Sequence, residues 1–343
     1  LRRPTLLVKL ISIVTLLLLL GVFVVQHGYL SSKSYTKTSA LTIYSPNSPT
    51  LLREMIPAFE KKYGINVKLV ENGTGELMSQ IRQGFEKTPD VFFGGIYTQF
   101  TNNEDLFLPY RSKAVVKLLE DYRDSSVIAT AYTINGNVLL VNKDLTKDMT
   151  IDSYQDLLNP ELKGKIAYAD PRSSSSALSQ LTSMLMAKGG YESESAWSFV
   201  KKLTDNYGEV SPTSSSAVYQ SVVDGKMAVG LTYEAPSLKL VENAANVSLV
   251  YPKEGTVFAP SSMAILKGAK NLENAKLFID FMVSKEAQDA LGKLTTNRPI
   301  HKEAKLNPNM QPLENIKTIK EDYDYVTKHQ SMILERYAKL VPK

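Results

Sequence analysis

The chain has 343 residues, 43% of them hydrophobic, and a formal net charge of +5. That length and apolar share allow a large core in two lobes or domains. Residues 1–40 hold Arg2, Arg3, Lys9, Lys33 and Lys37 and no acid, leaving 35 of the 40 basic residues against 35 acidic ones in the remainder. The excess therefore belongs to one segment, and a nucleic-acid partner is discounted. The sequence contains no cysteine, which excludes disulfides, thiolate metal sites, cysteine nucleophiles and a lipidated cysteine from it.

Behind the basic start, an uncharged, predominantly apolar run extends from Leu10 to Val25, with Ser12 and Thr15 its only polar residues. As a helix it would span ~24 Å, short of a ~30 Å hydrocarbon core but suited to an export signal. A basic flank before the run predicts a cytoplasmic N-terminus and an exported remainder after His27. Thr38-Ser39-Ala40 is only a weak cleavage site. Residues 1–40 are thus expected to be either a signal peptide or an uncleaved membrane anchor with a polar tether.

From Leu41 the pattern alternates. Leu41–Tyr44 reads as a strand, followed by a helix with Leu51, Leu52, Met55, Ile56 and Phe59 on one face. Pro57 is expected to kink or restart that helix, and Tyr63-Gly64 to end it. Val67–Val70 is the next strand. GTGE at 73–76 opens a helix carrying Leu77, Ile81 and Phe85, and Asp90–Phe93 is a strand ending at Gly94-Gly95. Strand, helix, strand, helix, strand implies a parallel sheet.

A second unit is expected from about Val138. Lys165–Tyr168 is a strand leading into DPRSSSSA and a helix, and Ser195–Leu203 is an amphipathic helix on which Trp197 reads as core. Val210 leads into PTSSSA and another helix. Met227–Leu231 is a buried strand ending in Thr232-Tyr233-Glu234, and Val247–Tyr251 and Ser262–Ile265 are strands before a helix over Leu272–Val283. The class is α/β, two lobes with a cleft between them.

Ligands of open α/β sheets bind outside the carboxyl ends of strands, where each polar loop lies. Helix N-termini with unpaired N–H groups and a partial positive charge favour anions there. The candidate ligand contacts are Ser45, Asn47, Thr74, Gly75, Gly95, Ser174, Ser175, Ser176, Thr213, Ser214, Ser215, Ser216, Tyr233 and Glu234. Ordinary N-capping would explain one serine in each run, turn chemistry would explain Ser45 and Asn47, and Gly75 could be only a tight turn. Arg172 could add a charge-assisted bond or be solvated. Glu234 could accept from a ligand ammonium or hydroxyl, or be an exposed acid. Catalysis has little support. The three histidines, His27, His301 and His329, make neither a metal cluster nor a triad, and GTGE lacks the Gly-Lys-Ser/Thr ending of a phosphate loop.

LTIYSPNS, AFEKKYGINVKLVENGTGEL, PDVFFGG, LKGKIAYADPRSSSSA, VVDGKMAVGLTYE, VYPKEGTV and AKNLENAKLFIDFMVSKEAQ occur in that order. Over roughly 41–300 they make the chain resemble the type II extracytoplasmic solute-binding proteins of ATP-driven importers. The similar branch contains ferric-ion, sugar-phosphate and aminoethylphosphonate binders. The resemblance implies the type II periplasmic-binding-protein fold, with residues 41–138 and 257–300 in lobe I, 139–256 in lobe II, and a tail, 301–343, packing on lobe II. It further implies a non-enzymatic monomer without a cofactor that captures a small anionic ligand and delivers it to a membrane permease. The favoured ligand is a phosphate ester or phosphonate, because the ferric branch places two adjacent tyrosines where this chain has only Tyr233. Iron, held by Tyr233 and Glu234, is the alternative, and an exported phosphatase-like enzyme is the rival of another class.

Overall fold

The computed structural model describes residues 40–84, 89–123, 127–207 and 214–341. The export segment, Phe85, Val210 and Thr213 lie outside the described residues. β1 (Leu41–Ser45) leads to α1 (Pro49–Tyr63), whose first turn is set by the Ser48 cap and by proline at its start. Leu51, Leu52, Met55, Ile56 and Phe59 are its buried face, and Gly64 closes it at φ 67°, a left-handed conformation that glycine adopts without penalty. The helix runs past Pro57 without a restart. Pro57 faces solvent, where water can satisfy the carbonyl its missing N–H leaves free.

β2 (Val67–Glu71), α2 (Thr74–Gln83), β3 (Val91–Ile96), the short α3 (Tyr97–Thr101) and β4 (Phe107–Leu108) complete the first run. β5 (Thr130–Asn142) follows, then β6 (Ile166–Tyr168), α4 (Ser175–Ala187), α5 (Glu194–Thr204), α6 (Ser215–Val223), β7 (Val229–Tyr233), α7 (Glu234–Glu242) and β8 (Val247–Val250). β9 (Thr256–Leu266), α8 (Leu272–Met282), α9 (Lys285–Leu294), β10 (Arg298–Pro299), β11 (Thr318–Ile319) and α10 (Tyr323–Ala338) end the chain. The fold is the two-lobed α/β architecture of periplasmic binding proteins.

Two long strands hold it together. The sheet order is β2-β1-β3-β9-β5-β7-β6, with β1 parallel to β2 and β3, and β6 parallel to β7. β5 and β9 are antiparallel at the centre. All thirteen residues of β5 are buried. Thr130–Gly136 pairs with β9, and Asn137–Asn142 with β7 and β8. β5 therefore passes unbroken through residue 138, where sequence places the start of the second unit.

Two large cores flank these strands. Leu41, Phe59, Phe93, Phe278 and Phe281 belong to the first, where the Phe59 and Phe278 rings meet edge-on at 5.1 Å. Leu139, Tyr168, Leu181, Trp197 and Leu231 belong to the second. Burial of each such side chain contributes roughly 1.5–3 kcal/mol. The tail divides between them. Ile316 joins the first core, whereas Val326, Ile333 and Tyr337 of α10 join the second.

Candidate functional site

Five helices of nine or more residues begin at the wall of one cavity of about 670 Å³. The capping residues of α1, α2, α4, α6 and α7 (Ser48, Gly73, Ser174, Ser214 and Tyr233) all line it. Ser174 and Ser214 each accept the third backbone N–H of their helix, from Ala177 and Ala217, at 3.3 Å. The first N–H groups of these helices have no partner within the helix, and each helix start carries a partial positive charge of about half a unit. Among the described residues the only charged side chains on the wall are Glu71 and Glu76; no lysine, arginine or histidine lines it. The cavity is polar and rich in hydroxyls, and what partial positive charge its wall carries comes from helix starts rather than from basic side chains.

The two serine runs meet. Ser174 Oγ lies 3.1 Å from Ser215 Oγ and 3.2 Å from Ser176 Oγ, and the hydroxyls of Ser176 and Ser215 are in direct contact. Ser216 bonds to Ser214 at 3.0 Å. Each hydroxyl both donates and accepts, so these bonds can be exchanged for bonds to a ligand. Ser175 instead reaches the opposite wall, 3.1 Å from Thr74 Oγ1. Gly95, at φ 91°, lies beside both of them.

Other expected residues serve the framework. Ser45 is fully buried and donates to the Phe93 carbonyl at 2.6 Å. Asn47 Nδ2 donates to the same carbonyl at 2.9 Å, and its Oδ1 accepts from Tyr132 at 2.7 Å. Both border the cavity with their polar atoms already engaged. Gly75 is not on the wall. Its N–H donates to the Ser173 carbonyl at 3.1 Å, and an added Cβ would sit 3.0 Å from that oxygen, so it joins the two walls. Arg172 is held by Asp170, with Nε 2.9 Å from each carboxylate oxygen.

Glu234 is engaged within the framework, not the exposed acid that the sequence allowed. It is fully buried and off the cavity wall, and Arg298 donates to its two oxygens at 2.7 and 2.6 Å while Tyr251 donates as well. A carboxylate removed from water requires such paired donors, and these bonds commit it to the framework. Tyr233, one residue earlier, does line the cavity, and burial pushes its phenol pKa up. Among the described residues, no group of three or more His, Asp or Glu could hold a metal ion.

Sequence reasoning missed Asn135, Asn137, Ser179, Tyr219, Ser261 and Asn297, all on the wall. Asn135 and Asn137 carried a signal. Asparagine is depleted in strands, and two flanking a glycine inside a buried apolar strand point to a polar surface there.

Residues 41–293 match the family model described as bacterial extracellular solute-binding protein. The chain belongs to this family, the substrate-binding proteins of ABC importers. It is similar to iron uptake protein A1 of a Synechocystis strain, 26% identical over 81% of this chain and 80% of that one. A putative 2-aminoethylphosphonate-binding periplasmic protein of Salmonella paratyphi A is 25% identical over 76% of this chain and 79% of the relative. Among solved structures it resembles the periplasmic binding protein AfuA from Actinobacillus pleuropneumoniae, solved with exogenous fructose-6-phosphate bound. That likeness has a TM-score of 0.81 at 25% identity and covers 88% of this chain and 98% of that one.

Proposed function

We propose that this member of the extracellular solute-binding proteins captures a small phosphorylated or phosphonate compound, without chemical change, for delivery to a membrane permease. The observation that carries the reading is the convergence of five helix starts on a hydroxyl-lined cavity with no basic side chain among the described residues. Aligned backbone dipoles and unpaired N–H groups hold a phosphate without a lysine cluster. The ligand's anionic head would sit between the starts of α4 and α6, on Ser174, Ser176 and Ser215, with its remainder toward Tyr233 and Asn137. The fructose-6-phosphate in the similar AfuA structure and the phosphonate-binding relative support the same class.

Ferric ion is the second reading, favoured by the place of Tyr233 on the wall and by the Synechocystis relative. A ferric ion needs hard anionic oxygens. Glu234 is committed to Arg298, and burial opposes ionisation of Tyr233. The same reading takes residues 41–138 and 257–300 as one lobe and 139–256 as the other, closing as a monomer on the ligand. It assigns residues 1–40 to export or anchoring at the outer face of the cytoplasmic membrane.

Calorimetry on metal-stripped protein tests the ligand. Fructose 6-phosphate is expected to bind with Kd below roughly 1 mM and to be recovered intact. Tight ferric binding with indifference to phosphate esters, or steady hydrolysis of the ester, would contradict the proposal.

A further inference from the structure

A second cavity, of about 490 Å³, lies behind the crossing strands. Ser261 lines the ligand cleft and Ser262 lines this cavity, as successive strand residues projecting to opposite faces must. Ser262 is fully buried, and its Oγ has no hydrogen-bond partner. A buried hydroxyl is rarely left unpaired, because the loss of its water bonds goes uncompensated. Glu321, in the segment joining β11 to α10, also lines the cavity and is 8% exposed. Its carboxylate accepts from Thr182 at 2.9 Å and from Tyr191 at 2.5 Å, both neutral hydroxyls. Among the described residues it forms no ion pair.

Aromatic rings supply the remaining wall. Tyr97 and Tyr323 stand edge-on at 6.5 Å, and Tyr122 faces the same space. At the rim Asp121, Asp322 and Asp324 stand against Arg123 and Lys320. Arg123 is directed away, donating to the carbonyls of Leu118 and Val116 at 3.1 and 3.0 Å. A buried carboxylate without a counter-charge, an unpaired hydroxyl and tyrosine faces together match a protonated amine, which offers charge, N–H donors and a cation for the rings. We propose that this cavity is a second binding site, for a small primary ammonium compound, between Glu321 and Ser262. Its occupant would touch Ala131 of β5 and Pro260 of β9, the two strands common to both lobes.

Burial holds the Glu321 carboxyl up at about 7, with the Asp322 charge adding to the rise and the Tyr191 and Thr182 hydroxyls opposing it. A bound cation favours the ionised form, so amine binding should release a proton near neutrality and strengthen as pH rises from 6 to 8.

Calorimetric titration of the full chain with propylammonium chloride, against matched sodium chloride, tests the site. One saturable event with Kd on the order of a millimolar is expected, unchanged by saturating fructose 6-phosphate. Glu321→Gln, which keeps the shape and removes the charge, should weaken it at least about tenfold. Tetramethylammonium, which has no N–H for Ser262, should bind more weakly. If Glu321→Gln fails to fold, Ser262→Ala with the same two probes carries the test, and weaker propylammonium binding is the expected result. No saturable binding of propylammonium, equal binding by folded Glu321→Gln, or competition with the phosphate ester would overturn the proposal. A failure of phosphate binding alone would leave it standing, because the two cavities lie on opposite faces of the strands.

Discussion

Ser174, Ser176 and Ser215 bond to one another on the cleft wall, whereas Glu234, one residue beyond the wall-lining Tyr233, is fully buried and bonded to Arg298 and Tyr251. Both regions are polar and lie at ends of the same central sheet. In the first, every group can donate or accept, and each partner is equally replaceable by a ligand oxygen. In the second, a buried charge is fixed by paired donors, and removing them would leave an uncompensated buried carboxylate. On the proposed reading, a polar residue at a strand end is available to a ligand only where its bonds can be exchanged. Ser45 and Asn47 fall with Glu234 by that criterion, although both border the cavity.

The largest effect expected is on stability, at the fixed pair. Arg298→Met should cost ~3–5 kcal/mol in urea unfolding and leave the affinity of the folded fraction for fructose 6-phosphate nearly unchanged. Lost affinity with unchanged stability would move Glu234 back into the ligand site. At the exchangeable cluster, Ser176→Ala combined with Ser215→Ala should lower affinity about a hundredfold in calorimetry, with little shift of the unfolding midpoint. A shift in the midpoint without a loss of affinity would make these serines structural. The smallest effect concerns the junction of the walls. Gly75→Ala places a Cβ 3.0 Å from the Ser173 carbonyl oxygen and 3.1 Å from its Cα, so the walls must part slightly. Affinity should fall about tenfold, ligand-induced compaction in small-angle scattering should diminish, and stability should hold. Full compaction with unaltered affinity would show that this contact does not limit closure.

Much of the architecture was legible because its punctuation is local. Gly64, the Ser48 cap and the serines before α4 and α6 mark helix ends by their own chemistry. β5 was not legible as one strand. With all thirteen residues buried it shows no alternation, and Gly136 interrupts its apolar side chains. That glycine instead leaves room for the Phe258 ring, which an added Cβ would meet at 2.7 Å. In the site, the serine runs could be read directly because helix starts are a sequence-local feature. Glu234 could not, since its fate depends on Arg298, 64 residues further along the chain, pairing across β10 to β5. Asn135 and Asn137 stood out chemically, but only the crossing of β5 under the cleft gives them their place.

The central claim is that an anionic head is held by the meeting helix starts. A crystal structure of the protein with fructose 6-phosphate tests it most directly. The account predicts the phosphate between α4 and α6, its oxygens on the hydroxyls of Ser176 and Ser215 and on backbone N–H groups of those first turns, with the Glu234–Arg298 pair intact. A ligand bound through Glu234 with that pair broken, or a phosphate seated away from both serine runs, would contradict it.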